Sequence, residues 1–377
     1  MYEGGLCLTQ QFRFCGNPFK IDLYKGCDFG CKYCFANRRS GAYKNNFDII
    51  DFNRIKRIFY NALETDKDFK DINIELIRKR VPLHCGGMSD PFQTRELELG
   101  LTKELIKLTN DYQYPVMFST KVAYLPEDYY AYLNNKYHSF QISVIGYNDS
   151  FIRKYESNTP LFHERLDFIK QLKSRGFWVS CRLQPIIDIN EDILVCKDIN
   201  GLVDYVTMEH LKIPVQDAKL ELYDDIDKTD YKRRSTMSFY ELNKDIKKAN
   251  ILTLSKYLDK TLYGVGDNDL HYMSQTNCCC GVDTVNNNFK NWLKYNLTNL
   301  SKMPNCEYGF IPNSKVANIF NSSTVLIDEK GNRVNDYKTY VDNYIVKHLD
   351  FFDENSLAYD YFSSVEMPIF KHRERKR

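Results

Sequence analysis

Between Phe19 and Leu211, short runs of β-branched and aromatic residues alternate with stretches whose apolar positions recur every three or four residues. The strand-type runs are FKIDLY (19–24), VPLHC (81–85), PVMFST (115–120), FQISVIG (140–146), FWVSCRLQPII (177–187) and LVDYVTM (202–208). In TRELELGLTKELIKL (94–108), Leu97, Leu101, Leu105 and Leu108 fall on one helical face. In LFHERLDFIKQLKSRG (161–176), Leu166, Ile169 and Leu172 form a stripe that Gly176 ends, and Pro126 with Glu127 opens another helix. Six strand–helix units imply parallel strands with right-handed crossovers, and hence an α/β fold: an incomplete (β/α)6 barrel or curved parallel sheet. Chemistry in such a sheet belongs at the C-terminal ends of the strands. Beyond Ile213 the alternation fades into a charged stretch from Gln216 to Arg234, a helical pattern at 238–258, and another at 337–352. The expected organisation is a core over 1–212, with an N-terminal extension over 1–18. A mixed, mainly helical C-terminal region over 213–377 then serves substrate recognition or an auxiliary role.

The chain of 377 residues is 43% hydrophobic and 27% charged, the composition of a folded domain rather than a disordered one. Its formal net charge of +2 neither requires nor excludes a nucleic-acid partner. Local basic runs end at Arg80 and Arg234 and fill the tail KHRERKR; each reads as solvated surface or as a phosphate contact. No apolar run after Met1 is long enough for a signal peptide or a membrane span, so a cytoplasmic location with no membrane partner is expected. In that reducing setting the twelve cysteines point to metal or redox chemistry rather than to disulfides.

The segment KGCDFGCKYCF places Cys27, Cys31 and Cys34 in a C-x3-C-x2-C spacing directly after the first strand run. Thiolates hold iron–sulfur clusters and zinc, so two readings are open. Three cysteines on a short loop can wrap one corner of a cubane and leave one iron without a protein ligand. Alternatively, Cys7 or Cys15 supplies a fourth thiolate to a zinc-stapled binding module without catalysis. Gly26 and Gly30 give the loop its tight path.

With Tyr33 next to the third cysteine, this spacing resembles the signature of the radical S-adenosylmethionine (SAM) superfamily. The resemblance implies a [4Fe–4S] cluster on Cys27, Cys31 and Cys34, whose open iron chelates SAM. An electron from an external low-potential donor then cleaves SAM to a 5′-deoxyadenosyl radical. After the second strand run, CGGMSDP offers the backbone of Gly86 and Gly87, together with Ser89 and Asp90, to the SAM ammonium; Met88 stands where the superfamily keeps a glutamate. The strand ends add Lys121, Ser143, Arg182 and Gln184, and an arginine suits a carboxylate through a bidentate pair. SDPFQTRE, FSTK, ISVIG and the stretch from Lys154 to Ile187 are similar to the spore photoproduct lyase-like branch. That likeness implies SAM contacts from Tyr33, Ser89, Lys121 and Ser143, and structural roles for Glu156 and Arg165. Cys85 is the counterpart candidate for a hydrogen-donating thiol, with a buried strand cysteine as the plain alternative. The branch points to DNA or RNA as substrate, in lesion repair or modification; a peptide, a protein or a small molecule is the other class.

The segment GDNDLHYMSQTNCCCGVD contributes His271, Cys278, Cys279 and Cys280, with Cys306 further on. Adjacent side chains on an extended strand point to opposite faces, so at most two of the three cysteines meet one metal. Three readings stand: a second metal site near Cys278, Cys280 and Cys306, a reactive thiol, or packed small apolar residues.

Overall fold

A computed structural model describes residues 5–8, 15–38 and 47–292, apart from positions 68, 70, 220, 225, 234–238, 268–269 and 277, together with the strand pair at 326–327 and 333–334. One eight-stranded sheet organises it, and its spatial order is its chain order. The strands are β1 (Leu6–Leu8), β2 (Phe19–Ile21), β3 (Leu83–Cys85), β4 (Val116–Thr120), β5 (His138–Val144), β6 (Val179–Ile186), β7 (Tyr205–His210) and β8 (Leu262–Val265). Only β1 runs antiparallel to its neighbour; β2 to β8 pair in parallel. All six strand-type runs are strands of this sheet. The crossovers carry α1 (Phe52–Leu63) and α2 (Ile72–Arg78), α3 (Leu101–Asp111), α4 (Asp149–Tyr155) and α5 (Phe162–Ser174), α6 (Ile189–Ile199), and α7 (Lys244–Ser255).

The strands are two-sided. Ile21, Leu83, Cys85, Phe118, Phe140, Ile142, Cys181, Leu183, Val206 and Met208 alternate along the sheet and belong to the main core. They pack with Leu105 and Ile106 of α3, Leu166, Ile169 and Leu172 of α5, and Val195 and Ile199 of α6. In register with one another on the opposite face stand Lys20, His84, Ser119, Gln141, Ser143, Arg182 and Thr207. A parallel strand buried on both faces ordinarily reads as continuously apolar. Here the alternation marks a polar interior, which is what a site requires.

Two departures from the sequence pattern have local causes. The helix expected over 94–108 is broken at Gly100, whose φ of +65° separates a turn at Glu96–Leu99 from α3. The carboxylate of buried Glu96 folds back to accept the amides of Thr102 and Lys103, both at 2.9 Å, and caps α3 in place of a side chain at the usual position. Leu97 is left 55% exposed by the break. Further on, the helical pattern over 238–258 begins as a strand at Phe239–Leu242. It pairs with Lys212–Pro214 and Tyr231–Arg233 in a small antiparallel sheet, and α7 starts only at Lys244, where the Asn243 side chain accepts the Asp245 amide at 2.9 Å. β8 comes from beyond residue 212, so the sheet takes a strand from the C-terminal region. The helical pattern over 337–352 lies outside the described residues.

Phe140 lies fully buried at the centre of the ring cluster, 5.8 Å from Phe118 and 5.3 Å from Phe177. Phe140→Ala should cost about 3–5 kcal/mol, read as a lowered midpoint in urea unfolding.

Candidate active site

The cluster loop leaves β2 and is pinned on two sides. Gln93 donates to the Gly26 carbonyl at 3.2 Å and accepts the Asp28 amide at 3.1 Å. On the other side, the Lys32 amide donates to the Tyr155 carbonyl at the end of α4 at 2.9 Å. A turn from the Cys34 amide to the Cys31 carbonyl, at 3.1 Å, brings the later two cysteines together. None of the three forms a disulfide, and the thiols lie within one another's electrostatic field. Burial pushes the Cys27 thiol up to about 12, and Asp90 and Cys34 add to it. Bound iron would hold these sulfurs as thiolates instead. Three thiols on one pinned loop fit a cluster with an open iron.

Neither cysteine considered as a fourth ligand belongs to that loop. Cys7 lies on the edge strand opposite Lys20, while Cys15 lies near Cys280. Among the described residues no three His, Cys, Asp or Glu side chains already share a metal-sized site, Cys27, Cys31 and Cys34 included.

After β3 the chain turns sharply at Gly86, whose φ is +104°. A Cβ there would stand 2.3 Å from the Ser119 carbonyl oxygen, so only glycine fits. The following loop is tied at Met88, Ser89 and Asp90. The Met88 amide donates to Asp22 at 2.7 Å, and the Ser89 hydroxyl donates to the Tyr24 carbonyl at 2.7 Å. Asp90 accepts the Thr120 hydroxyl and the Lys121 amide, each at 2.7 Å, and the Phe92 amide at 2.9 Å. Those donors are neutral, and burial outweighs them, pushing the Asp90 carboxyl up to about 6.

Lys121, just past the end of β4, points its ammonium at the cluster loop. Its Nζ lies 3.1 Å from the Tyr33 hydroxyl and 2.8 Å from Glu156 Oε1. Tyr33 also donates to Glu156, and Arg165 binds Glu156 Oε2 at 2.5 Å while reaching the Ser143 carbonyl at 2.6 Å. Burial alone would push the Glu156 carboxyl up. The charges of Arg165 and Lys121 and the hydrogen bonds from Lys121 and Tyr33 prevail and hold it well below the usual carboxylate range.

The structure thus gathers Tyr33, Lys121 and the 86–90 loop around the cluster cysteines, with Ser143 linked to them through Arg165. Arg182 and Gln184 stand on the polar face toward β7, joined by a residue that the sequence pattern did not single out, Glu209. It accepts from Gln184 at 2.5 Å and pairs with Lys212 at 2.8 Å and with Arg182 at 3.8 Å. Its place two residues after Thr207, on the same strand face, is the signal that could have found it. Arg182 Nε is buried without a hydrogen-bond partner among the described residues, which leaves a donor for a ligand.

Cys85 takes a different place. It is fully buried on the helix-facing side, in register with Ile21 and Phe118, and packs as a core residue away from the polar face.

The C-terminal cysteines lie against the polar face of the sheet. Thr207 donates to the Cys279 carbonyl at 2.7 Å and Tyr205 to the Cys278 carbonyl at 3.0 Å. The Cys279 and Cys280 sulfurs are 3.9 Å apart. Cys278 and Cys280 pack with Met117, Val282 and Phe289, and Cys306 lies outside the described residues.

Asp90 sets a pH dependence. Its carboxyl sits at about 6 in the folded chain against 3.8 unperturbed, so the stability it contributes is full below about pH 4 and is lost as pH rises through 6. Raising the pH from 4 to 7 should remove up to about 3 kcal/mol from this group. Urea unfolding across that range should show a shallower pH slope for Asp90→Asn than for the wild type.

The model of the family described as Radical SAM superfamily matches residues 21–193, the stretch that holds the three-cysteine loop and β3 to β6. No curated protein sequence matches the chain. Among solved structures, a spore photoproduct lyase variant with bound AdoMet and dinucleoside spore photoproduct aligns with a TM-score of 0.51 at 16% identity, over 68% of this chain and 78% of that one. Spore photoproduct lyase complexed with the same dinucleoside aligns with a TM-score of 0.50 at 17% identity, over 66% and 75%. Streptococcus suis SuiB bound to S-adenosylmethionine gives 0.40 at 11% identity, over 64% and 47%. At these identities the shared feature is the fold. Together with the three cysteines of the pinned loop, the family match identifies residues 21–193 as a radical SAM domain.

Proposed function

We propose that this enzyme cleaves SAM reductively on a [4Fe–4S] cluster held by Cys27, Cys31 and Cys34, and that its substrate is nucleic acid. The observation that carries the first part is the meeting of three separate segments at one sheet edge: the cluster loop with Tyr33, the 86–90 loop, and Lys121. When bound, the cluster supplies one electron, from a low-potential donor, to break the sulfur–carbon bond of SAM and release a 5′-deoxyadenosyl radical.

The chain's own residues bind and orient. The backbone of Gly86 and Gly87 is offered to the SAM ammonium. Ser89 and Asp90 hold that loop against β2 and β4, and Lys121 and Tyr33 offer polar groups beside the cysteines. Arg182 supplies a fixed fork for a carboxylate, with Gln184 beside it.

Nucleic acid is supported by the fold shared with a lyase whose structure holds a dinucleoside photoproduct. We place the enzyme in the cytoplasm, where the cluster thiols stay reduced. No helix among the described residues is long and apolar enough to cross a membrane.

The test is anaerobic reconstitution with iron and sulfide, then dithionite and SAM, with chromatography for 5′-deoxyadenosine. The wild type should form it, and Cys31→Ala should fall at least a hundredfold. Adding ultraviolet-irradiated DNA should raise the wild-type yield several-fold over undamaged DNA. Equal yields with irradiated DNA, undamaged DNA, RNA and no addition would remove nucleic acid from the proposal.

A further inference from the structure

The carboxylate of Glu156 does more than a buried structural partner of Arg165 would need. Fully buried at the end of α4, it has one oxygen toward Tyr33 and Lys121 and the other toward Arg165, at 2.5 Å, and Thr159, at 2.9 Å. Arg165 would be neutralised by this carboxylate alone. Its other bonds, to the Pro160 carbonyl at 2.7 Å and the Ser143 carbonyl at 2.6 Å, already fix its position. The second cation, Lys121, is therefore surplus to any structural account of the pair. It is brought in from the end of β4, its amide anchored on Asp90, and its ammonium ends beside Tyr33, one residue before Cys34. Both Lys121 and Glu156 lie within electrostatic range of Cys31. One carboxylate thus joins the cluster loop, the end of β4 and, through Arg165, the end of β5.

We propose that Glu156 is a positioning residue that holds Lys121 and Tyr33 against the cluster loop and, as a fixed negative charge beside it, keeps the reduction potential of the cluster low. This rests on the assignment of Cys27, Cys31 and Cys34 as cluster ligands. A reduced cluster carries one more negative charge than an oxidised one, so a nearby anion disfavours reduction and makes the reduced form a stronger donor. A buried carboxylate acts on this balance more strongly than a surface one, because water does not screen it.

The experiment uses the full chain with its cluster reconstituted. Glu156→Gln keeps the shape and removes the charge, but leaves Arg165 buried without a counter-ion. The double variant Glu156→Gln with Arg165→Met removes both charges together and avoids that penalty. The first measurement is the midpoint potential by redox titration followed through the paramagnetic signal of the reduced cluster, which needs no SAM. The second is the rate of 5′-deoxyadenosine formation. The expected result is a midpoint potential more positive than wild type in Glu156→Gln, with a smaller shift of the same sign in the double variant, where loss of the Arg165 cation offsets part of it. In Glu156→Gln, 5′-deoxyadenosine should form at least tenfold more slowly at unchanged iron content.

A wild-type potential in both variants overturns the proposal. So does a double variant that no longer folds by circular dichroism, since the fold rather than the cluster would then require the carboxylate. If the wild type itself forms no 5′-deoxyadenosine, the SAM-cleaving assignment falls, whereas the potential shift still decides the role of Glu156.

Discussion

The two-sidedness of the parallel sheet is the constraint on which the rest depends. Each strand satisfies its own amides with its neighbours, so the fold is decided by where the side chains go. One face is apolar and sealed by helices. The other carries groups that must find partners or a ligand, because a buried polar atom without one costs about 1–3 kcal/mol. Much of that need is met by a continuous chain across the sheet. His84 meets Ser119 at 2.6 Å, Ser119 donates to Gln141 at 3.0 Å, and Gln141 donates to Thr207 at 3.3 Å. Thr207 then closes on the Cys279 carbonyl. Burial lowers His84 to about 4, so the imidazole serves this chain as a neutral donor and acceptor.

The same constraint explains why the described residues from 262 to 292 pack onto the sheet. β8 pairs with β7, and the cysteine segment lies directly over the polar side of that strand. At Gly264 an added Cβ would stand 2.3 Å from the Tyr205 hydroxyl and 2.8 Å from the Cys279 backbone, so the segment sits at backbone contact with the sheet. Trp292 completes the cover, donating to the Cys15 carbonyl at 2.8 Å. The polar groups of the inner face are thereby closed off on this side. The strand ends near Lys121 carry the residues gathered about the cluster loop.

Around that loop, two buried carboxylates show how surroundings divide chemically identical groups. Asp90 receives only neutral donors, and burial pushes it up to about 6. Glu156, equally buried, lies between Arg165 and Lys121 and stays ionised far below that. The first ties two loops together; the second adds a permanent charge beside the cysteines.

Much of this was legible in the chain. Six strand runs, the helical stripe from Leu166 to Leu172 with its stop at Gly176, and the cysteine loop all follow from local periodicity and spacing, which need no distant partner. The break at Gly100 was hidden because the apolar stripe continues across it, while the group that stabilises the new helix start, Glu96, looks like any surface glutamate. The strand at 239–242 was hidden by helical spacing and formed because two other strands were available to pair with it. Glu209, the burial of Cys85 and the reach of Glu156 to three elements depend on register and on contacts between residues far apart in the chain. By itself, then, the sequence determined the parallel α/β class, the three-cysteine loop and the positions of the strand ends, since each is written in short-range pattern. Only the tertiary structure decided which charges meet and which face each strand residue occupies, since both are set by pairings between residues separated by tens of positions along the chain.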